Sequence, residues 1–119
     1  MDLVNQYIYS YLEHNISINN MYSLFNSHLK NKKYMVVSPK GRVTHFGARG
    51  YSDYTIHEDD DRKRRYIARH KKNEDWTKKG IDTAGFWSRW LLWNKVSINR
   101  SIKDIENRFG IDIKNFIKR

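Results

Sequence analysis

The stretch YMVVSPKGRVTHF, residues 34–46, decides the fold class of this chain. Residues 34–38 form a short run rich in β-branched side chains, and residues 42–46 resume the strand pattern. Pro39 and Gly41 supply the turn chemistry between the two runs. The stretch therefore predicts a β-hairpin. Because most of the remaining chain has helical spacing, the expected fold class is α+β, a small antiparallel hairpin or sheet packed with several helices.

An N-terminal pair of helices is predicted before the hairpin. Apolar side chains recur at helical spacing over residues 2–13 and again over residues 21–29, with a break at residues 15–20. The first stripe contains Leu3, Val4, Tyr7, Ile8, Tyr11 and Leu12, and the second contains Met21, Leu24, Phe25, His28 and Leu29. The chain should therefore enter the hairpin from a helix.

Beyond the hairpin the pattern becomes mostly helical. Residues 54–56 are expected to add a third short strand. Asp82 or Thr83 is placed to cap a helix, and Gly110 stands where a later helix should end. Residues 111–119 fit either a final helical turn or a short strand. Helices are predicted over residues 59–72, 84–94 and 97–109.

Length and composition limit the classes of function that this chain can have. The chain has 119 residues, enough for one domain and too few for a multidomain enzyme. It contains no cysteine, which excludes disulfides and thiolate chemistry. No stretch approaches the roughly 18 uncharged apolar residues of a membrane span, and the N-terminus lacks the order of a signal peptide. We therefore expect no membrane partner and a protein that stays where it is synthesised.

The charge divides the chain into two regions. The net charge is +10, and all 23 Lys and Arg residues lie from Lys30 onward. Residues 1–29 carry only Asp2 and Glu13 as charged side chains. We expect residues 1–29 to be an uncharged-to-acidic helical pair and a possible self-association element, and residues 30–119 to be a basic α+β domain with a Trp-rich helix. Such a basic domain indicates a polyanionic partner, of which nucleic acid is the commonest.

One predicted helix presents a basic stripe. On a helical wheel Arg62, Arg65, Arg69 and Lys72 fall within about 80° of one another, beside a core face. The other interpretation is a solvated face neutralised by i,i+4 pairs between residues 58 and 62, 60 and 64, and 61 and 65. The predicted nucleic-acid contacts are Arg62, Arg65, Arg69, Lys71, Lys72, Lys78 and Lys79.

The Trp-rich helix admits two interpretations. Its rings and Leu91 cover one wide face, which is typical of a core helix. Aromatic rings interleaved with bases also stack unpaired nucleobases in some proteins, and that alternative stays open. The wide face contains Phe86, Trp87, Trp90, Leu91 and Trp93, and it leaves Ser88, Arg89 and Leu92 outside.

Three motifs carry a resemblance to a known kind of domain. They are HFG at residues 45–47, GYSDYT at residues 50–55 and TAGFWSRWLLWNK at residues 83–95. Over about residues 34–109 the chain resembles a small uncharacterised basic domain of giant nucleocytoplasmic DNA viruses of amoebae. The resemblance implies a nucleoid or core protein of the virion and supplies no catalytic residues.

Catalysis is not expected. His45, His57 and His70 with the intervening carboxylates suggest metal ligands superficially, but their spacing fits no ligand pattern and lacks the i,i+4 pair of zinc helices. Each histidine is more simply a hydrogen-bonded structural residue. We predict no enzyme, no metal and no cofactor, with a metal-dependent nuclease as the remaining catalytic interpretation.

The expected function is sequence-independent binding of double-stranded DNA, with compaction of a viral genome. The basic side chains would contact phosphates, and residues 1–29 would self-associate to bridge duplexes. The expected location is the virion core or nucleoid, and the host cytoplasm during infection. The alternative is a minor structural or capsid-adaptor protein of the virion whose basic face binds an acidic protein.

Overall fold

The computed structural model describes residues 20–119, and the predicted helix over residues 2–13 lies outside them. The strands are β1 (Met21–Asn26), β2 (Lys32–Val37), β3 (Val43–Ala48) and β4 (Asp112–Asn115). The helices are α1 (Tyr54–His57), α2 (Asp60–His70), α3 (Ala84–Trp87) and α4 (Ile98–Phe109). A 3₁₀ turn spans Lys78–Gly80, and α3 continues directly into a π-helical segment, Ser88–Leu92. Within residues 20–119 no helix is long and apolar enough to cross a membrane.

The four strands form one mixed sheet in the order β3-β2-β1-β4. β2 pairs antiparallel with β3, with Tyr34 opposite Phe46, which confirms the predicted hairpin. β1 pairs antiparallel with β2 and parallel with β4. The fold class is α+β, as predicted.

The prediction of a helix over residues 21–29 is wrong, because β1 occupies that segment. Tyr22 and Leu24 alternate toward the core, whereas Phe25 points to the other side and stacks on Phe116 at 5.0 Å. Strand pairing on both sides of β1 satisfies its backbone and outweighs the helical spacing of its apolar residues. Residues 21–26 are therefore an interior strand of the sheet, and nothing in residues 20–29 forms a second α-helix.

The predicted third strand at residues 54–56 is also wrong. Asp53 accepts a hydrogen bond from the Thr55 backbone N–H at 2.9 Å and caps α1, a single helical turn. Glu58 ends that turn in a left-handed conformation. A well-placed N-cap carboxylate thus overrides the strand propensity of the β-branched pair that follows it.

The two helices after residue 83 begin where the sequence indicates, although the predicted helix over residues 84–94 is α-helical only as far as Trp87 and π-helical over Ser88–Leu92. Thr83 caps α3 through the Phe86 N–H, and Ser97 caps α4 through the Arg100 N–H. Gly110 ends α4 at a φ of 65°. Residues 111–119 take the strand alternative, since β4 lies within them.

The core lies between the sheet and the Trp-rich helix. Leu92, placed outside by the wheel, is instead buried. The π-helical segment adds a residue to its turn and rotates Leu92 inward, toward β3. Gly47 of β3 leaves room for the Leu92 side chain, because a Cβ at residue 47 would lie only 2.9 Å from Leu92 Cδ1. The largest fully buried side chains are those of Trp87, Phe46, Phe86, Leu24, Leu91, Leu92 and Ile105.

Candidate nucleic-acid interface

The three predicted arginines line one cleft. Arg62, Arg65 and Arg69 lie along one side of α2, and all three are exposed. Tyr51, Ser52 and Trp93 complete the walls of this cleft, which has a volume of about 290 Å³. The helical spacing thus brings together the cationic groups that the sequence placed on one stripe.

The acids of α2 do not neutralise this stripe. The carboxylate of Asp59 caps the helix by accepting from the backbone N–H groups of residues 61 and 62. Asp60 accepts from the Tyr54 hydroxyl at 2.6 Å, and Asp61 pairs with Arg64. None of the three predicted i,i+4 pairs forms, and within residues 20–119 no carboxylate forms an ion pair with the three cleft arginines. Their charge remains available to an anion.

The inner side of α2 is held by rings and a half-buried lysine. Tyr66 stacks between Trp93, at 4.4 Å, and His70, at 4.3 Å. Lys63 donates to the backbone carbonyl of Asn94 at 2.6 Å, and its burial lowers its pKa, with the nearby Arg89 adding to the effect. These contacts fix the rotation of α2, so the arginine side faces solvent.

Tyr51 belongs to the loop that closes the other side of the cleft. It follows Gly50, which has a φ of 92°, and its ring is 75% exposed. The loop is anchored by the next acid, since Asp53 is buried and forms an ion pair with Lys33 of β2 at 2.8 Å. Our sequence reasoning missed Tyr51. The available signal was an aromatic residue in a turn segment between Gly50 and Ser52, away from any strand or helix stripe.

A second cleft, of about 350 Å³, adjoins the first. The two clefts share Tyr51, Ser52 and Trp93 in their walls. Polar groups surround it: His70 bonds through Nδ1 to Glu74 at 3.2 Å, and Glu74 also accepts from the Trp76 indole N–H at 2.9 Å. The Lys33 and Asp53 pair lies on the same lining.

The remaining predicted contacts lie outside these clefts. Lys71 caps the C-terminal end of α2, and Lys72 follows it. Lys78 and Lys79 lie on the 3₁₀ turn. All four side chains are exposed, and none lines either cleft.

The Trp-rich helix is mostly core. Trp87 is fully buried, and Trp90 is 9% exposed, with its indole N–H donating to the Trp76 carbonyl at 2.9 Å. Arg89 and Arg108 each lie 4.4 Å from the Trp90 ring centroid. Burial lowers the pKa of Arg89, and the neighbouring charge of Arg108 adds to this effect. These contacts favour the core interpretation, and of this helical face only Trp93 reaches the clefts.

His45 and His57 each form a hydrogen bond through Nδ1 that fits a structural role. His45 bonds through Nδ1 to the Ser27 hydroxyl at 2.8 Å. His57 accepts from the Asp59 backbone N–H at 2.9 Å and so steadies the start of α2. In the part of the chain that the structure describes, no three His, Asp or Glu side chains come together in a metal-binding group.

Comparison with known proteins finds a match to one family model. Residues 22–70 match a Family of unknown function (DUF5754). The match runs from β1 to the end of α2 and so includes the loop of Tyr51 and the three arginines, but not the Trp-rich helix. No curated protein and no solved structure matches the chain.

Proposed function

We propose that this protein binds double-stranded DNA without sequence preference, through its phosphates. The observation that carries the proposal is the row of three exposed arginines on α2, none of them in an ion pair with a carboxylate of residues 20–119. Residues 30–119 as a whole carry a large excess of positive charge. Phosphate contacts of this kind supply affinity and carry no sequence information.

The spacing of the arginines suits a phosphate backbone. Residues 62 and 69 are seven apart, which corresponds to about 10 Å along a helix axis. That span matches about three base-pair steps of a duplex at roughly 3.4 Å each. Lys71, Lys72, Lys78 and Lys79 follow the arginines in the chain, are exposed and add four positive charges. Binding through phosphates requires no contact to base edges.

The proposed biological role is compaction of a viral genome in the virion core or nucleoid, reached through the host cytoplasm, as the sequence resemblance implies. Compaction requires one protein particle to bridge two duplexes, which a single small domain cannot do with one basic face. Because residues 21–26 form an interior strand, we assign self-association to residues 1–19 rather than to residues 1–29.

A salt titration tests the DNA proposal. With about five phosphates neutralised, the logarithm of the affinity for a 20-base-pair duplex should fall with the logarithm of salt at a slope of roughly −4 to −5. Duplexes of unrelated sequence should compete equally. A slope near zero, or strong preference for one sequence, contradicts phosphate-led binding. Weak binding abolished near 100 mM salt favours the alternative, a capsid adaptor with an acidic protein partner.

Light scattering tests the self-association proposal. The full-length protein should be oligomeric at micromolar concentration, and deletion of residues 2–19 should give a monomer that retains single-site DNA affinity. A monomeric full-length protein contradicts this assignment and leaves the DNA-binding proposal in place.

A further inference from the structure

We propose that the two adjoining clefts form one site for an unpaired nucleotide, with its phosphate on the arginines of α2 and its base against Tyr51. This inference rests on the nucleic-acid binding proposed above. It goes further because it states which part of the nucleic acid enters the protein and which side chain receives it.

Tyr51 is the residue that points to a base. The described tyrosines other than Tyr51 are buried or half-buried, whereas its ring is 75% exposed. Within residues 20–119 no aromatic ring and no cationic group packs on its ring, so the ring remains accessible to a base. A free aromatic face beside a cationic groove is the arrangement on which proteins stack unpaired bases.

The neighbouring rings do not offer the same surface. Tyr66 has one face on Trp93 and the other on His70. Trp93 is covered by Tyr66 on one side and lies 5.3 Å from His57 at a tilt of 57°. The stack of Tyr66 and Trp93 thus forms a wall, and Tyr51 is the ring left to receive a base.

The two clefts suit different parts of a nucleotide. The first is lined by Arg62, Arg65 and Arg69, which suit a phosphate. The second, at about 350 Å³, lies at the lower end of the range of about 300–1,000 Å³ for small-ligand sites. Its lining offers hydrogen-bond donors and acceptors from Lys33, Ser88 and Glu74. Because Tyr51, Ser52 and Trp93 are common to both, the two subsites are adjacent, as phosphate and base are in one nucleotide.

A paired base enters this second cleft only at an energetic cost. Its partner and its stacked neighbours hold it in the duplex, and extraction costs a few kcal/mol. A single strand, an overhang or a frayed end meets no such cost. Stacking on a tyrosine tolerates every base, so this mode remains independent of sequence.

Fluorescence anisotropy with two labelled probes tests the inference. The probes are a 20-nucleotide thymidine single strand and a 20-base-pair duplex, each titrated with the parent protein, Tyr51→Ala, Tyr51→Phe and Phe116→Ala. Phe116 is the matched control, since it is an exposed aromatic residue that lines neither cleft. Tyr51→Ala should weaken single-strand binding roughly 5- to 150-fold and change duplex binding by less than about twofold. Tyr51→Phe and Phe116→Ala should bind both probes like the parent.

The outcomes separate this inference from the proposed function. If Tyr51→Ala binds both probes like the parent, or loses both equally, the unpaired-nucleotide site is wrong while phosphate-led binding stands. If the parent binds neither probe, the DNA-binding proposal itself fails. A second measurement requires no variant: a single strand carrying 5-iodouracil should photo-crosslink to Tyr51 in the parent protein. A crosslink found only on residues outside both clefts overturns the inference.

Discussion

The indole ring of Trp93 lies flat against the phenol ring of Tyr66, with the centroids 4.4 Å apart and the planes inclined by 4°. Tyr66 belongs to α2, and Trp93 directly follows the π-helical segment. This contact joins the helix that carries the arginines to the helix that fills the core. Trp93 also lines both clefts and Tyr66 lines the second, so this stack both stabilises the domain and shapes the candidate site.

Gly47 is required for the approach of Leu92 to the sheet. Gly47 and Gly41 both have positive φ, of 77° and 85°, so alanine is strained at either position. A Cβ at residue 47 would also lie 2.9 Å from Leu92 Cδ1, whereas one at residue 41 meets nothing within 4 Å. We expect Gly41→Ala to lower the free energy of unfolding by about 1–2 kcal/mol and Gly47→Ala by about 2–5 kcal/mol. Urea denaturation measures both, and equal losses contradict the packing argument.

The sequence predicted the elements whose signals are local. The hairpin follows from a turn of Pro39 and Gly41 between two strand-forming runs, and α2 follows from its acidic start and basic end. The exposure of Arg62, Arg65 and Arg69 follows from helical periodicity alone. These features depend on neighbours within a few residues, so the prediction required no knowledge of the tertiary structure.

The features that sequence missed depend on distant contacts. β1 lies between β2 and β4, and its parallel partner comes from residues 112–115, some 90 positions along the chain. No local pattern contains that pairing, and the apolar spacing of Met21, Leu24 and Phe25 also fits a helix. The clefts could not be predicted for the same reason, since Tyr51 meets the arginines only after Asp53 is anchored on Lys33.

Trp90 should matter for stability rather than for binding. Its ring is buried, its N–H donates to the Trp76 carbonyl, and two arginines pack on it. Trp90→Ala should therefore lower the free energy of unfolding by about 3–5 kcal/mol, as expected when a core site loses an aromatic ring. Calorimetry or urea denaturation checks this. A variant that keeps parental stability yet loses preferential binding to single strands would show that Trp90, not Tyr51, stacks the base.

Removing only one partner of the ion pair between Asp53 and Lys33 should strongly lower the free energy of unfolding. Asp53 is buried, caps α1 and lies 2.8 Å from the Lys33 ammonium. Asp53→Ala leaves that ammonium without its partner, so we expect a loss of about 3–5 kcal/mol in the free energy of unfolding. Combining Asp53→Asn with Lys33→Met removes both charges and keeps a capping oxygen, and should recover a large part of the loss. A loss below about 1 kcal/mol in Asp53→Ala contradicts a buried role for the pair.

The stability of the domain should depend on the protonation of His57. Burial of the ring lowers the pKa of His57 below its ordinary value of 6.5, and the charge of Arg62 adds to this effect. The charge of Lys33 acts in the same direction, whereas the carboxylates of Asp59 and Asp53 act in the opposite direction. The unfolded chain therefore takes up this proton at a higher pH than the folded protein. The free energy of unfolding should fall as pH decreases through about 6.5, and this contribution should level off below the folded pKa.

The variant His57→Gln isolates this effect from the other histidines. Denaturation of the parent and the variant between about pH 7 and about pH 5 should show a smaller loss of stability in the variant. The amide oxygen of glutamine can still accept from the Asp59 backbone N–H, so the start of α2 keeps its hydrogen bond. Identical pH profiles would mean that His57 does not couple to folding.

The arginine face should carry most of the affinity for DNA. Changing Arg62, Arg65, Arg69 and Lys72 together to Gln should keep the fold, because all four are exposed and glutamine is a good helix former. The affinity for duplex at low salt should fall by several orders of magnitude, and the salt slope should flatten by up to about four units. Circular dichroism checks the fold, and anisotropy titrations at several salt concentrations give the slope.

A second quadruple variant separates the contribution of the arginine face to DNA affinity from the contribution of the net charge. Lys40, Lys95, Arg100 and Lys103 are also exposed and line neither cleft, so their change to Gln removes the same four charges elsewhere. This control should bind duplex much more tightly than the arginine-face variant does. Equal losses would mean that affinity follows total charge without a defined face. Parental affinity in the arginine-face variant would mean that α2 is only a solvated surface, and an acidic protein would then be the partner to seek.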